Sequence, residues 1–385
     1  MRVLYLSADP GVPVLGHKGA SIHVRELARA LGEAGADVTI ASPRVGEEGT
    51  PVEWSGALAW IPPVLPKKHT HAQTLLAAME AQTVAVERLA RKLHAEAVYE
   101  RFSLFSTAGV RAAEAVGIPH LLEVNAPLRD EAARFRVLPH GAVAEQAEQQ
   151  VLARSAGILA VSQPLADWVR STGCTTPVEV LENAVDPDRF APAKPQPVGR
   201  FVAGFAGSLK PWHGIDVMLA ACRIAMQMHR ELHLEIVGGG PMSAAVARAG
   251  LPADRLVQHG VVDHAQAISL VGGWHAGLAP YLDVPGFYFS PLKVLEYMAS
   301  QVCPIASDLG QIRSLLGDGE RGVLVPPGNP VALARAIGEA IADPSATVRR
   351  AAAARTYVIE THTWRGNAAR VLDLAAVLIE RRVVA

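Results

Sequence analysis

Cysteine is scarce in this chain of 385 residues, and the three present, Cys174, Cys222 and Cys303, lie far apart with no Cys-x-x-Cys pair and no repeating interval. That spacing excludes a disulfide framework and a cysteine zinc site, and predicts a reducing, cytoplasmic setting. Long apolar runs are also missing. None approaches the ~20 residues that a membrane-spanning helix needs. The apolar opening at residues 1–9 is too short for a secretory signal. A soluble chain is expected, with peripheral contact at the inner membrane face left open. Excess charge of one sign is absent too: 36 Lys plus Arg stand against 37 Asp plus Glu, a net charge of −1. Nothing global therefore favours nucleic acid as a partner.

What is present is apolar material, at 50% of residues, in a chain long enough for two or three domains. Short apolar runs at residues 3–7, 38–41, 97–99, 120–124 and 158–161 predict buried strands, and an amphipathic pattern at 21–34 predicts a helix. Four prolines, Pro187, Pro192, Pro195 and Pro197, fall within residues 186–200 and read as an interdomain linker. The same grammar then restarts, with strands at 201–206, 233–237, 256–259, 276–280 and 302–306 and helices at 215–228 and 291–300. Strand, helix, strand with short links implies βαβ units. The expected architecture is α/β, with two Rossmann-like parallel-sheet domains facing across a cleft. The first covers residues 1–185, with a closing helix at 363–385 packing back on it, and the second covers 186–362.

Two segments of the second half carry the chemistry. Gly207-Ser208-Leu209-Lys210-Pro211-Trp212-His213-Gly214 follows a strand, and Ser290-Pro291-Leu292-Lys293 opens a helix. A helix start presents unpaired N–H groups and partial positive charge, which suit phosphate. Lys210, His213 and Lys293 can neutralise a diphosphate, and Glu296 can accept hydrogen bonds from ribose hydroxyls. Its alternative is a surface pairing with Lys293 three residues earlier. Gly238 and Gly239, after another strand, let a base or sugar lie against the backbone, or simply make a tight turn. This half reads as a holder for a nucleoside diphosphate with its ribose.

In the first half, Gly16-His17-Lys18-Gly19-Ala20-Ser21 links the first strand to the first helix. It is not Gly-x-Gly-x-x-Gly, so dinucleotide binding is disfavoured, and Ser21 is placed to cap the helix. Glu100, Arg101, Glu123 and Asn125 fall at the carboxyl ends of predicted strands, where ligands of parallel sheets bind. Their structural alternative is a Glu–Arg pair bracing the sheet edge. Arg129, Arg134 and Arg136, with Lys67-Lys68-His69, make a basic local surface suited to an anionic acceptor or a membrane face, or else merely solvated.

Taken together, these segments resemble the family 4 glycosyltransferases, which have the GT-B fold. The resemblance spans nearly the whole chain. It rests on Gly19-Ala20-Ser21-Ile22-His23-Val24-Arg25-Glu26-Leu27-Ala28, on Glu182-Asn183-Ala184-Val185-Asp186-Pro187-Asp188-Arg189-Phe190, on the Gly207–Gly214 loop, on Val237–Pro241, and on Glu296-Tyr297-Met298-Ala299. It implies transfer of a sugar from a nucleoside diphosphate donor to a glycan, lipid-linked or small-molecule acceptor, with retention of configuration and with neither metal nor other cofactor. It implies that Gly19, Gly207, Ser208, Lys210, His213, Gly238, Gly239, Ser290, Leu292, Lys293 and Glu296 serve the donor. His17, Arg101 and Arg129 would lie on the acceptor side, and Asn125, Glu123 and Glu100 would be the catalytic candidates.

The chain departs from the family pattern in three respects. Tyr288 stands where the first glutamate of the Glu-x7-Glu motif is expected, Ser208 and His213 replace a basic pair, and Asn125 replaces a histidine. Two rival readings follow: a non-catalytic nucleotide-sugar-binding protein, and a GT-B epimerase drawing on Glu100, Glu123 and His17. Nothing in the pattern specifies an oligomer.

Overall fold

Apolar strands too uniform to have a wet face must be covered on both sides, and parallel strands need helical crossovers to supply that cover. The computed structural model, which describes residues 1–46, 54–67, 69–135, 137–191, 199–284 and 290–384, shows this arrangement twice. The chain divides into one unit of Met1–Glu182 with Trp364–Ala385, and a second of Asn183–Thr363.

The first unit holds seven strands: β1 (Arg2–Ser7), β2 (Asp37–Ser42), β3 (Ala57–Trp60), β4 (Ala97–Arg101), β5 (His120–Val124), β6 (Gly157–Ala160) and β7 (Val178–Val180). Their order is β3-β2-β1-β4-β5-β6-β7, all parallel. The strand order reverses between β1 and β4, the position at which open α/β sheets bind ligands beyond their carboxyl ends. Leu4, Leu6, Ala41 and Val98 face a core completed by Val86, Ala90, Ala108 and Ala112. The helix Trp364–Val384 packs along the helix Gly19–Glu33, and Trp364 stacks edge-on against His23 with ring centroids 4.9 Å apart.

The second unit holds six strands: β8 (Phe201–Ala206), β9 (Leu232–Val237), β10 (Leu256–Gly260), β11 (Ala276–Ala279), β12 (Cys303–Ser307) and β13 (Val323–Val325). Their order is β10-β9-β8-β11-β12-β13, again all parallel, with the reversal between β8 and β11. Alternation divides its core in two. Phe201, Ala203 and Phe205 join Leu234, Ile236 and Leu278 in one cluster. Val202 and Ala206 join Val237, Ala279 and Ala306 in the other.

The expected pair of parallel α/β sheets is therefore present. The strands that sequence patterning did not find, β3, β7 and β13, lie at sheet edges, half-exposed, and are only three or four residues long, so any apolar run they carry is too short to stand out. The proline-rich stretch behaves differently from a plain linker at its start. Asp186 caps the 3-10 turn Pro187–Arg189, and Phe190 is buried in the second unit's core. Pro192, Pro195 and Pro197 lie outside the described residues. No helix among the described residues is long and apolar enough to cross a membrane.

Candidate active site

In the second unit the loops after β8, β9 and β11 gather at the carboxyl edge of the sheet beside the strand reversal. The Gly207 N–H bonds to the Val237 carbonyl at 2.9 Å, and the Leu209 N–H to the Gly239 carbonyl at 3.0 Å, tying the first two loops together. Gly207 and Gly238 both have φ in the left-handed range, +133° and +125°. A Cβ on Gly238 would sit 2.0 Å from the Gly207 carbonyl oxygen, and a Cβ on Gly207 would sit 3.4 Å from Lys293 Nζ. The clash makes Gly238 obligatory, whereas at Gly207 the contact is an ordinary one and it is the positive φ that favours glycine.

Lys293 lies in the first turn of the helix Leu292–Ala299 and is buried. Its ammonium sits 3.9 Å from the centroid of the Phe205 ring and 5.1 Å from that of Tyr281. It has no hydrogen-bond partner among the described residues. Ring faces offset part of the cost of burying the charge, but leave all three N–H donors unused. Burial pulls its pKa down to about 7, and Glu296 opposes the fall.

Glu296 does not pair with Lys293 as the surface alternative expected. Its Oε1 meets His264 Nε2 at 3.0 Å, and its side chain keeps 21% of its surface exposed, so the carboxylate stays open to a ligand. Ser290 precedes the helix and is clamped from two sides. Its Oγ accepts from the Asn183 N–H at 3.1 Å and from Gln311 Nε2 at 2.9 Å, and its carbonyl accepts from Asn183 Nδ2 at 3.1 Å. The Leu292 N–H bonds back to the Ser290 carbonyl at 3.0 Å.

His213 needs correction as a cation. Burial, with Lys293 beside it, pushes its pKa down to about 3 against the pull of the Ser208 carbonyl. A carbonyl can only accept, so Nδ1–H donates to it at 2.6 Å and His213 is a neutral ring. Positive charge in this loop falls to Lys210, whose Nζ lies 5.7 Å from the Trp212 ring centroid. Tyr288 lies outside the described residues.

In the first unit the candidate residues separate onto two faces of the sheet. Arg101 and Tyr99 share one face of β4 with Glu123 of β5, while Glu100 points the other way, as strand alternation requires. Glu123 is buried, and its four acceptor positions are filled. Oε2 accepts from His23 Nε2 at 2.7 Å and from the Tyr99 hydroxyl. Oε1 accepts from Arg101 at 3.1 Å and from the Asn125 amide nitrogen. Burial alone would raise its pKa, but the charge and hydrogen bond of His23, then Arg101 and Tyr99, hold it at about 2. A carboxylate this saturated has no lone pair left for a nucleophilic role.

Glu100 is also corrected as a catalytic candidate. It is fully buried, accepts from Ser106 Oγ at 2.6 Å, and meets His120 Nε2 at 2.9 Å; His120 Nδ1 reaches Ser155 Oγ at 3.0 Å. It braces the sheet against the helix Ala108–Val116. The structural Glu–Arg brace does exist, between Glu123 and Arg101.

Arg129 is not free for an anionic acceptor. It meets Glu148 at 3.0 Å, Glu145 at 3.4 Å and Asp130 at 3.8 Å. Lys67 is exposed, while Lys68 and Arg136 lie outside the described residues. Gly19 is the exposed first residue of its helix and His17 is half-buried in the preceding loop. Lys18, not Ser21, occupies the N-cap position of this helix and makes no side-chain capping bond; Ser21 falls inside the first turn with Oγ buried and unbonded among the described residues.

Sequence reasoning missed His23, Tyr99, His264 and Gln311. Only His23 left a trace, as a polar residue on the apolar side of an amphipathic helix.

Two sequence families match this chain. The model described as Glycosyltransferase Family 4 covers residues 17–189, and the one described as Glycosyl transferases group 1 covers residues 200–343. Among curated relatives, a D-inositol 3-phosphate glycosyltransferase of Xylanimonas cellulosilytica is 27% identical, over 97% of this chain and 94% of its own. A glycogen synthase of Mycobacterium tuberculosis is 24% identical, over 95% and 92%. Among solved structures, a sucrose-phosphate synthase from Thermosynechococcus elongatus superposes with a TM-score of 0.78 at 19% identity, over 99% of this chain and all of its own. Anabaena Alr3699/HepE in complex with UDP-glucose superposes with a TM-score of 0.72 at 17% identity, over 97% and 99%. The structural likenesses establish the fold; with the two family matches they make this chain a glycosyltransferase of family 4 with the GT-B architecture.

Proposed function

We propose that the protein transfers a sugar from a nucleoside diphosphate sugar to an acceptor hydroxyl with retention of anomeric configuration and without a metal ion. The observation that carries this reading is Lys293: a buried ammonium, unbonded among the described residues, at a helix start and against Gly207. Three unused donors in a low-dielectric setting call for an anionic ligand, and a diphosphate supplies one. As the sugar–phosphate bond breaks, negative charge builds on the leaving diphosphate, and Lys293, the helix start and Lys210 stabilise it. That charge is the role a metal would otherwise fill. Glu296 then takes the ribose hydroxyls. The UDP-glucose held by Anabaena HepE supports a nucleotide sugar as donor.

Given a retaining transfer, the state of Glu123 and Glu100 selects its route. A double displacement needs a free carboxylate beside the anomeric carbon. Glu123 is saturated and Glu100 is buried in its own brace. The attack is therefore proposed to come from the face that the diphosphate leaves, with the departing phosphate taking the acceptor's proton. A glycan end, a lipid-linked sugar or a small metabolite can supply that hydroxyl. The isolated, free cysteines suit a cytoplasmic setting.

The test is a panel of nucleotide sugars, scored first by thermal stabilisation and then by nucleotide release with sugar acceptors. A ligand at a hundred times its Kd stabilises by about 2.7 kcal/mol. An α-linked product from an α-linked donor, lost in Lys293→Ala, is expected. Stabilisation without turnover would favour the non-catalytic reading, and conversion of the donor without any acceptor would favour an epimerase.

A further inference from the structure

The buried cluster around Glu123 determines the orientation of one amide. Ionised Glu123 can only accept hydrogen bonds, so the group that Asn125 turns toward it is the NH2, not the carbonyl. Its Oδ1 then points away from the cluster. Four groups besides Asn125 face this carboxylate or couple to it: His23 from the helix Gly19–Glu33, Tyr99 and Arg101 from β4, and Tyr5 from β1. Trp364 holds the His23 ring from behind. Three of them, His23, Tyr99 and Arg101, pin the carboxylate before Asn125 is reached, which is more restraint than a single amide needs for packing alone.

We propose that Glu123 is a positioning residue that fixes the Asn125 amide with Oδ1 presented as a hydrogen-bond acceptor, so that the group recognised there is a sugar hydroxyl and not a phosphate or carboxylate. This rests on the glycosyl-transfer reading above. An amide free to flip would accept either kind of partner; an amide locked by a carboxylate accepts from hydroxyls only, and repels an anionic oxygen.

The test is Asn125→Asp, compared with Asn125→Ala and with Glu123→Gln/Asn125→Asp. A protonated aspartic acid donates to Glu123 and presents a carbonyl outward, reproducing the asparagine. An ionised one faces Glu123 charge to charge. The proton resides on position 125, because His23, Tyr99 and Arg101 keep Glu123 ionised. Two readouts follow: thermal stability against pH, and release of nucleotide from the sugar nucleotide that the wild type turns over.

Asn125→Asp is expected to approach wild-type stability and turnover in acid. As pH rises through the raised carboxyl pKa, turnover should drop about tenfold per unit toward the Asn125→Ala level. The double variant should lose this acid rescue or shift it to the ordinary aspartate range. Loss in both hydrolysis and transfer assigns the hydroxyl to the donor sugar; loss in transfer alone assigns it to the acceptor. A stability deficit that does not shrink in acid would overturn the Glu123–Asn125 contact. Recovery of stability without recovery of turnover would overturn the recognition role while leaving the transferase reading intact. A wild type that turns over no nucleotide sugar would overturn both.

Discussion

The hydroxyl of Tyr297 accepts a hydrogen bond from the Ala206 N–H at 2.9 Å and donates to the Leu278 carbonyl at 3.3 Å. Ala206 ends β8, and Leu278 lies in β11. These two strands pair only at Ala203–Ala276 and Gly204–Gly277. Beyond that, one buried phenol takes the place of the ladder at the strand reversal. Gly277 makes room for the ring: a Cβ there would lie 2.4 Å from it. The helix carrying Lys293 and Glu296 is thereby anchored to the strand that leads into Gly207.

Tyr297→Phe should test this anchor. It leaves the Ala206 N–H and the Leu278 carbonyl buried without a partner, a loss of about 1–3 kcal/mol. Urea unfolding is expected to show a lower midpoint with an unchanged slope. Nucleotide affinity should fall with it, because Gly207 and Lys293 lose their common support. Normal UDP affinity in a destabilised protein would separate the anchor from the site.

Lys293 gives a pH signature with two opposite signs. Its pKa is about 7 in the folded chain against about 10.4 when unfolded. Between those values the unfolded chain binds more protons, so this residue makes stability rise with pH across that window. In the proposed role the ammonium holds the diphosphate, so affinity should fall over the same range. Lys293→Met is expected to flatten both profiles, raising stability at pH 6 while weakening UDP binding. Calorimetry of UDP at pH 6, 7.5 and 9 reads the affinity directly. An affinity that is flat with pH in the wild type would remove Lys293 from the diphosphate.

Much of this was legible in the sequence, for reasons that particular residues show. The strand ending at Ala206 is a run without polar side chains, the one ending at Val237 alternates apolar with polar residues, and the loops after them carry the glycines, so the donor side could be located from pattern alone. Glu100 and Glu123 could not be told apart, because each follows an apolar run. What separates them is which neighbour each meets across the sheet: Glu100 lies near His120, and Glu123 beside Arg101. That is register, and a single strand does not state its own register. His213 failed for a different reason. Its neutrality comes from burial beside Lys293, eighty residues away in sequence. The clamp on Ser290 by Asn183 and Gln311 is likewise built from distant segments.

Glu296→Gln should leave the fold intact while weakening the donor. The amide keeps the shape and can still bond His264, but on the proposed donor reading it would exchange charge-assisted bonds to ribose for weaker ones. A loss of about 1–2 kcal/mol is expected, and His264→Ala should cost less than that. Measuring UDP and free diphosphate side by side isolates the ribose, since only UDP affinity should change. Equal losses for both ligands would point instead to an electrostatic effect on Lys293.

The last expectation concerns the bond-making step. If a carboxylate attacked the sugar, incubation with donor alone would leave a glycosylated peptide. Glu123 has both oxygens committed and a pKa near 2, which makes it a weak nucleophile as well as an inaccessible one. Glu100 is fully buried on the opposite face of β4. Removing Glu100 should act mainly through stability, and removing Glu123 through stability together with the lost orientation of Asn125. Glu123→Ala strands Arg101 and His23 beside a void, which for a buried ion pair costs about 3–5 kcal/mol. Glu100→Gln keeps the Ser106 and His120 contacts and should retain most activity. Same-face attack predicts that mass spectrometry of donor-treated wild type finds no sugar on peptides containing residue 100 or 123, and that the product keeps the donor's anomeric configuration. A sugar adduct on the Glu123 peptide would show that the cluster opens during turnover, and would replace same-face attack with a double displacement.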